Sequence, residues 1–128
     1  MTVLKRVFVS DIHLSAAATP GPGLHDWSWC GQDEADDFAE FLKYVGSCGE
    51  YKEVILLGDL LDDWVWPVDL LPPTFANILA APKNEAAITA LKALCANPSV
   101  KVTCLPGNHD MGLTEPFLAQ NFPGMIFG

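Results

Sequence analysis

An apolar segment that leads directly into an aspartate constrains the fold of this chain most strongly. The four residues Val54 to Leu57 are all apolar, which predicts a strand buried on both faces, as in a parallel sheet. Gly58 follows and removes the side chain where the backbone must turn. Asp59 then falls at the carboxyl end of the strand, which is where open α/β sheets place their ligand sites.

Two other apolar segments end in polar residues in the same manner. Residues 7–10 lead into Asp11-Ile12-His13, and residues 100–105 lead into the sequence Pro-Gly-Asn-His-Asp at 106–110. The carboxyl ends of neighbouring parallel strands meet at one edge of a sheet. We therefore expect the polar side chains of all three segments to lie at the same edge.

The elements between these strands are predicted from apolar spacing and turn residues. Helical spacing predicts a helix over 33–47 and a second one from an N-cap at Asn84 to about Ala96. The alternation of strands and helices predicts one α/β domain over 1–128, with mostly parallel strands and right-handed crossover helices. The remaining predicted elements are strands over 2–10, 53–58 and 100–105, short helices over 74–80 and 114–121, and the start of a fourth strand at 125–127.

Composition and charge exclude several classes of function. Half of the 128 residues are apolar, which allows a core, and the net charge of −9 argues against a nucleic-acid-binding surface. No apolar run approaches the roughly 20 residues of a membrane span, and no signal peptide is evident. The cysteines are widely spaced without a CxxC pair, so we interpret them as mostly buried, reduced thiols and expect a cytoplasmic protein. They are Cys30, Cys48, Cys95 and Cys104.

The polar groups at the three strand ends form a set of metal ligands. Asp11 and His13 are two residues apart on an extended segment, so both side chains can reach one ion. The Asp59 carboxylate has two oxygens and can bridge that ion to a second one, which the Asn108 carbonyl oxygen would also bind. Two carboxylates, an imidazole and an amide oxygen suit Mn, Fe or Zn better than Ca. His109 would then face a bound phosphate.

These motifs, in this order, resemble the first three motifs of the calcineurin-like metallophosphoesterase family. They are Asp11-x-His13, Gly58-Asp59 and Gly107-Asn108-His109-Asp110, each at the end of an apolar segment. Any one of them is commonplace, whereas the ordered set is specific. The resemblance covers residues 3–110 and implies a four-layer α/β/β/α sandwich, of which this chain would supply the first half.

The resemblance also implies an activity. The family hydrolyses phosphomonoester, phosphodiester or pyrophosphate bonds by attack of a metal-bridging hydroxide, so the implied cofactors are two divalent ions, with manganese preferred. The four ligands named above keep their metal-binding roles. His109 would be catalytic, contacting the phosphate and the leaving oxygen, and Asp110 would orient the ring of His109.

The family's later histidines, which stand in a Gly-His pair and a Gly-His-x-His motif, have no counterpart in this sequence. Its histidines are His13, His25 and His109. We therefore expect the chain to be the N-terminal portion of a metallophosphoesterase domain, completed by its C-terminal half or by self-association. The alternative is a catalytically inactive binding or scaffold fragment of the same fold. A Rossmann-type nucleotide-binding domain is excluded, because no G-x-G-x-x-G follows the first strand.

Four tryptophans lie in the two loops that leave the predicted metal edge. One hypothesis is an aromatic wall that binds an apolar part of the substrate, with Trp27 and Trp64 as candidate substrate-binding residues. Ordinary core packing is the alternative. The adjacent acidic pair Asp62-Asp63 is interpreted as a helix start or a solvated turn. The four tryptophans are Trp27, Trp29, Trp64 and Trp66.

Overall fold

Four strands and four α-helices make up the fold in this computed structural model, which describes residues 4–16, 29–64 and 71–128. The elements follow in the order β1 (Lys5–Val9), α1 (Gln32–Ser47), β2 (Tyr51–Leu57), α2 (Phe75–Ala80), a 3₁₀ turn (Pro82–Asn84), α3 (Glu85–Ala96), β3 (Lys101–Leu105), α4 (Glu115–Asn121) and β4 (Ile126–Phe127). The strands form one sheet in the order β1-β2-β3-β4, and every pair is parallel.

The register of the sheet brings three strand ends to one edge. Val9 of β1 pairs with Leu56 of β2, and Leu57 of β2 pairs with Leu105 of β3. The residues that follow each strand therefore leave the sheet side by side, as the sequence predicts. The parallel sheet with helices between its strands confirms the predicted α/β fold class.

Helices α1 and α3 bury the main core against one side of the sheet. Leu42 and Val45 of α1 and Leu91 of α3 are almost fully buried, and they belong to the same apolar cluster as Val54 and Val102 of the sheet. This confirms the inward faces predicted from helical spacing. None of the helices in the described ranges combines the length and the apolar content needed to cross a bilayer.

The other side of the sheet exposes large apolar side chains. Phe8, Leu57 and Ile126 are all solvent-exposed there. Successive residues of a strand point to opposite faces, so this side is formed by the residues that alternate with the core positions. Arg6 and Glu53 also form a salt bridge across β1 and β2, with 2.9 Å between Nε and Oε2.

The helix starts are only partly as predicted. The hydroxyl of Thr74 caps α2 by accepting the Asn77 N–H, and Thr114 caps α4 in the same way. Asn84 stands at the N-cap position of α3, but its side chain makes no capping hydrogen bond. Its Nδ2 donates to the carbonyls of Ser15 at 3.0 Å and Ile78 at 2.8 Å, because a buried amide requires partners.

Candidate metal centre

The loops that follow β1 and β2 run side by side beyond the edge of the sheet. The His13 N–H donates to the Asp59 carbonyl at 2.8 Å, and the Leu14 N–H donates to the Leu60 carbonyl at 2.9 Å. Leu14 and Leu61 also form an isolated parallel bridge. These hydrogen bonds fix the backbone of both loops, and with it the Cα positions of their polar residues.

Three of the predicted metal ligands have a left-handed backbone. The φ angles are 59° at Asp11, 56° at His13 and 56° at Asp59, and the other non-glycine residues in the described ranges have no positive φ. An L side chain adopts this region rarely, at a cost of about 1–3 kcal/mol. Such strain persists only where the surrounding structure imposes it, and it clusters at functional sites.

Two glycines allow the loops after β2 and β3 to approach each other. A Cβ atom on Gly107 would collide with Asp59 Oδ1 and would lie 2.7 Å from the Asp59 backbone nitrogen. A Cβ on Gly58, which has a φ of 88°, would lie 3.0 Å from the Gly107 Cα. This close approach lets the His109 N–H donate to Asp59 Oδ1 at 2.9 Å. A side chain at Gly107 would therefore move Asp59, and a side chain at Gly58 would press on the Gly107 backbone.

Asp11, His13 and Asp59 bring three potential ligand atoms within 4.8 Å of one another. The His13 Nε2 atom is 3.4 Å from an Asp11 oxygen and 3.9 Å from an Asp59 oxygen. A hydrogen bond from the Ser10 side chain lowers the pKa of the Asp11 carboxyl, which favours the charged form that binds metal ions. Two carboxylates and an imidazole nitrogen around one point fit a divalent ion such as Mn, Fe or Zn.

The side-chain amide of Asn108 lies beside the same carboxylate. One end of the amide is 3.3 Å from Asp59 Oδ1 and 3.1 Å from Asp59 Oδ2. With its nitrogen at that end, the amide donates to the carboxylate. With its oxygen there, three oxygens face one another, an arrangement that a cation stabilises. The structure therefore brings all four predicted ligands together, and the donor set fits bound ions.

Asp62 lies at the site, buried against two histidines, rather than in the helix start or solvated turn that the sequence predicts. Only 2% of its side chain is exposed. Its Oδ2 atom is 2.8 Å from His13 Nδ1 and 3.0 Å from His109 Nδ1. Its Oδ1 atom accepts a hydrogen bond from the backbone N–H of Trp64 at 2.8 Å. The signal available in the sequence was a carboxylate directly after the apolar pair Leu60-Leu61, because a buried charge needs partners.

The contacts of Asp62 also fix the proton positions on the two imidazoles. A carboxylate only accepts hydrogen bonds, so both rings donate through Nδ1, and His13 keeps the lone pair of its Nε2 atom available. For His13 this is the atom that faces Asp11 and Asp59. A carboxylate behind a ligating histidine orients the ring and strengthens its donor atom.

Asp110 has a different place from the one expected for it. Its carboxylate is fully buried and accepts the backbone N–H groups of Gly107 at 2.7 Å, Leu61 at 3.1 Å and Asp59 at 3.2 Å. The ring of His109 is instead contacted by Asp62. The buried backbone N–H groups in the loops after β2 and β3 need hydrogen-bond acceptors, and the Asp110 carboxylate is that acceptor. Asp110 therefore holds the loop after β2 against the loop after β3.

Two tryptophans border the histidines. The Trp29 ring centroid is 4.7 Å from that of His13 and 5.4 Å from that of His109, and the Trp64 centroid is 4.9 Å from that of His109. Trp64 thus lies at the site as predicted, and Trp29 joins it. The predicted residue Trp27, together with His25, lies outside the described residues.

Carboxylates and imidazoles that converge at the carboxyl edge of a parallel α/β sheet define a metal-binding site suited to hydrolytic chemistry. The sequence model of the calcineurin-like phosphoesterase family matches residues 4–127. The chain belongs to this family, and its parallel sheet and helices are consistent with half of a metallophosphoesterase fold. No curated protein matches the chain. Family membership supports metal-dependent phosphoester hydrolysis in general, which is the predicted class of activity.

Proposed function

We propose that this protein hydrolyses phosphoric ester or anhydride bonds with two divalent metal ions bound at the carboxyl edge of its sheet. The observation that carries the proposal is the convergence of Asp11, His13 and Asp59. Their ligand atoms lie within 4.8 Å of one another, and all three residues have a strained backbone. A fold maintains strain of this kind where the position of a side chain matters.

The chain's own residues divide between the two ions. Asp11 and His13 would hold the first ion, Asp59 would contact both, and Asn108 would contribute its oxygen to the second. When bound, the ions would neutralise the phosphoryl oxygens and make a water molecule more acidic. We propose Mn first and Fe or Zn as alternatives, because mixed oxygen and nitrogen donors without thiolate suit these metals.

His109 is the residue that we propose to act on the leaving oxygen. Its Nδ1 faces Asp62, so Nε2 is the ring atom available to a substrate. The Asp62 carboxylate accepts from Nδ1 and orients the ring, so a proton held on Nε2 would pass to the leaving oxygen as the phosphorus–oxygen bond breaks. Asp110 supports this arrangement indirectly, since it fixes the loop that carries His109.

The second ion needs donors beyond those of the described residues. Asp59 and Asn108 supply two, whereas a protein-bound Zn ion takes roughly four ligands. We propose that a further body packs on the exposed side of the sheet and completes the site, either the C-terminal portion of a metallophosphoesterase domain or a second copy of this chain. Phe8, Leu57 and Ile126 are exposed together there, and clustered apolar exposure marks contact surfaces.

The second candidate function is a binding or scaffold module without catalysis. The small number of donors at the second position favours it, because Asp11, His13 and Asp59 alone would hold one ion. Such a module would keep the fold and one ion and would release no product from any phosphate ester.

We also propose that the protein acts in the cytoplasm. Cys95 and Cys104 are buried and not part of a disulfide, and burial raises the pKa of each thiol to about 12. Thiols that stay reduced are typical of cytoplasmic proteins. Expression with a compartment marker and microscopy would test this point.

Metal analysis and hydrolysis assays on the same preparation test the proposed function. After loading with Mn and dialysis, two ions per chain together with Mn-dependent hydrolysis of a monoester, a diester or a pyrophosphate would support it. Asp59→Asn removes the carboxylate shared by both ions and should lower both readouts, whereas Asp63→Asn, next to the site but outside the ligand set, is the matched control. One ion without turnover means that this chain alone does not complete the second position, which favours the scaffold alternative over completion by a second copy. No bound ion and no hydrolysis would overturn the proposal.

A further inference from the structure

Two exposed indoles lie in contact with the same imidazole of the site. Trp29 is 62% exposed and Trp64 is 53% exposed, although both ring systems contact His109. Isolated apolar residues on a surface need no explanation, but large aromatic faces grouped around functional side chains mark a binding surface. The backbone N–H of Trp64 also donates to Asp62, the carboxylate that contacts both histidines, so the position of Trp64 is tied to that of the site.

A cavity of about 250 Å³ adjoins this surface. Its lining includes the aromatic residues Trp29 and Phe38 and the acidic residue Glu34. It also includes Asp11 and His13, so a group seated in it would lie next to the proposed first ion. A flat ring with hydrogen-bond donors at its edge matches such a lining, because its faces can stack on aromatic side chains and its donors can reach a carboxylate.

We propose that the substrate is a phosphate ester or anhydride that carries a planar aromatic ring, and that Trp29 and Trp64 bind that ring. This inference rests on the proposed function, since the phosphate of the same molecule would lie at the metal ions. A nucleobase and a simple aryl group share the required chemistry. A long alkyl chain does not, because it has no donor for the acidic residue that lines the cavity.

The test compares the affinities of phosphates with and without a ring. Calorimetry on the Mn-loaded protein would use adenosine 5′-monophosphate, phenyl phosphate and methyl phosphate as probes. We expect at least one ring-bearing probe to bind about 5- to 150-fold more tightly than methyl phosphate, the range that stacking one base on one aromatic side chain gives. A preference for the adenosine compound would identify a nucleobase, and equal affinities for the two ring-bearing probes would identify any aryl group.

Variants of the two tryptophans show whether the indoles cause the preference. Trp29→Ala and Trp64→Ala should each reduce the affinity ratio between the ring-bearing probe and methyl phosphate. Trp29→Leu keeps apolar volume without an aromatic face, so it should reduce the ratio as Trp29→Ala does. Tyr44→Ala, which removes an exposed aromatic ring on α1 away from the site, is the matched control and should leave the ratio unchanged.

The outcomes separate this inference from the proposed function. Equal affinities for all three probes, or a ratio that the tryptophan variants leave unchanged, would overturn the inference while metal-dependent hydrolysis could still be observed. A wild-type affinity ratio in Trp29→Leu would also overturn the inference, because any apolar side chain would then suffice. Ring-dependent binding without hydrolysis of any ester would support the inference and contradict the proposed activity. No binding of any phosphate would overturn both.

Discussion

His13 and Asp62 are joined by a 2.8 Å hydrogen bond between the ring Nδ1 and the carboxylate Oδ2, and both side chains are buried. The same oxygen lies 3.0 Å from the Nδ1 atom of His109. One carboxylate therefore orients a proposed metal ligand and the proposed proton donor at once. A change at this carboxylate should therefore affect both proposed roles.

Asp62→Asn is expected to weaken metal binding. The amide keeps the shape of the carboxylate but loses its charge and presents a donor to one side. Loss of a carboxylate behind a ligating histidine typically lowers metal affinity about 10- to 100-fold. Calorimetric titration of the metal-free protein with Mn measures the change in affinity. Asp63→Asn is the control, and equal affinities for the two variants would contradict the role given to Asp62.

Gly107→Ala is expected to damage the site through Asp59. The new methyl group would collide with Asp59 Oδ1 and lie 2.7 Å from the Asp59 backbone nitrogen, so Asp59 must move. Overpacking of this kind costs about 1–3 kcal/mol of stability. Urea unfolding curves should show that loss, and the Mn affinity should fall as well. In Gly112→Ala, the matched control, the methyl group meets only the Phe75 ring at 3.3 Å, so a wild-type Mn affinity is expected.

Asp110→Asn separates a structural role from a catalytic one. The buried carboxylate accepts three backbone N–H groups, and an amide nitrogen in its place leaves at least one of them without an acceptor. We expect the free energy of unfolding to fall by about 1–3 kcal/mol in urea titrations. Asp36→Asn, on the exposed surface of α1, is the control and should have a free energy of unfolding close to that of the wild type. A variant that keeps full stability but loses hydrolysis would instead support a direct catalytic role for Asp110.

The fold could be predicted from the sequence because its signals are local. The apolar run from Val54 to Leu57 and the helical spacing of Leu42 and Val45 each lie within one element, and the structure contains both elements. The location of the site was equally accessible, since parallel strands must deliver their carboxyl ends to one edge. The four proposed metal ligands follow from that edge and from the family resemblance.

The contacts that hold the site residues in position could not be predicted in the same way. Asp62 contacts histidines that lie 49 and 47 residues away, so no spacing rule connects them. The left-handed backbone at Asp11 and His13 depends on hydrogen bonds to the neighbouring loop, which exist only once the sheet has formed. For the same reason the role of Asp110 was assigned to the wrong contact, because its partners are backbone groups that carry no signature in the sequence.

Alkaline pH should destabilise the protein through its buried thiols. Burial raises the pKa of the Cys104 thiol from 9.0 to about 12. Above pH 9 the unfolded chain therefore releases a proton that the folded chain keeps, and the free energy of unfolding falls by about 1.4 kcal/mol per pH unit for each such thiol until the pH approaches 12. Urea unfolding at pH 8.5 to 10.5 under reducing conditions measures this slope. The slope for Cys104→Ala should be shallower by about that amount, even if the stability of this variant at pH 8.5 is lower. Identical slopes for Cys104→Ala and the wild type would show that this thiol does not contribute to alkaline unfolding.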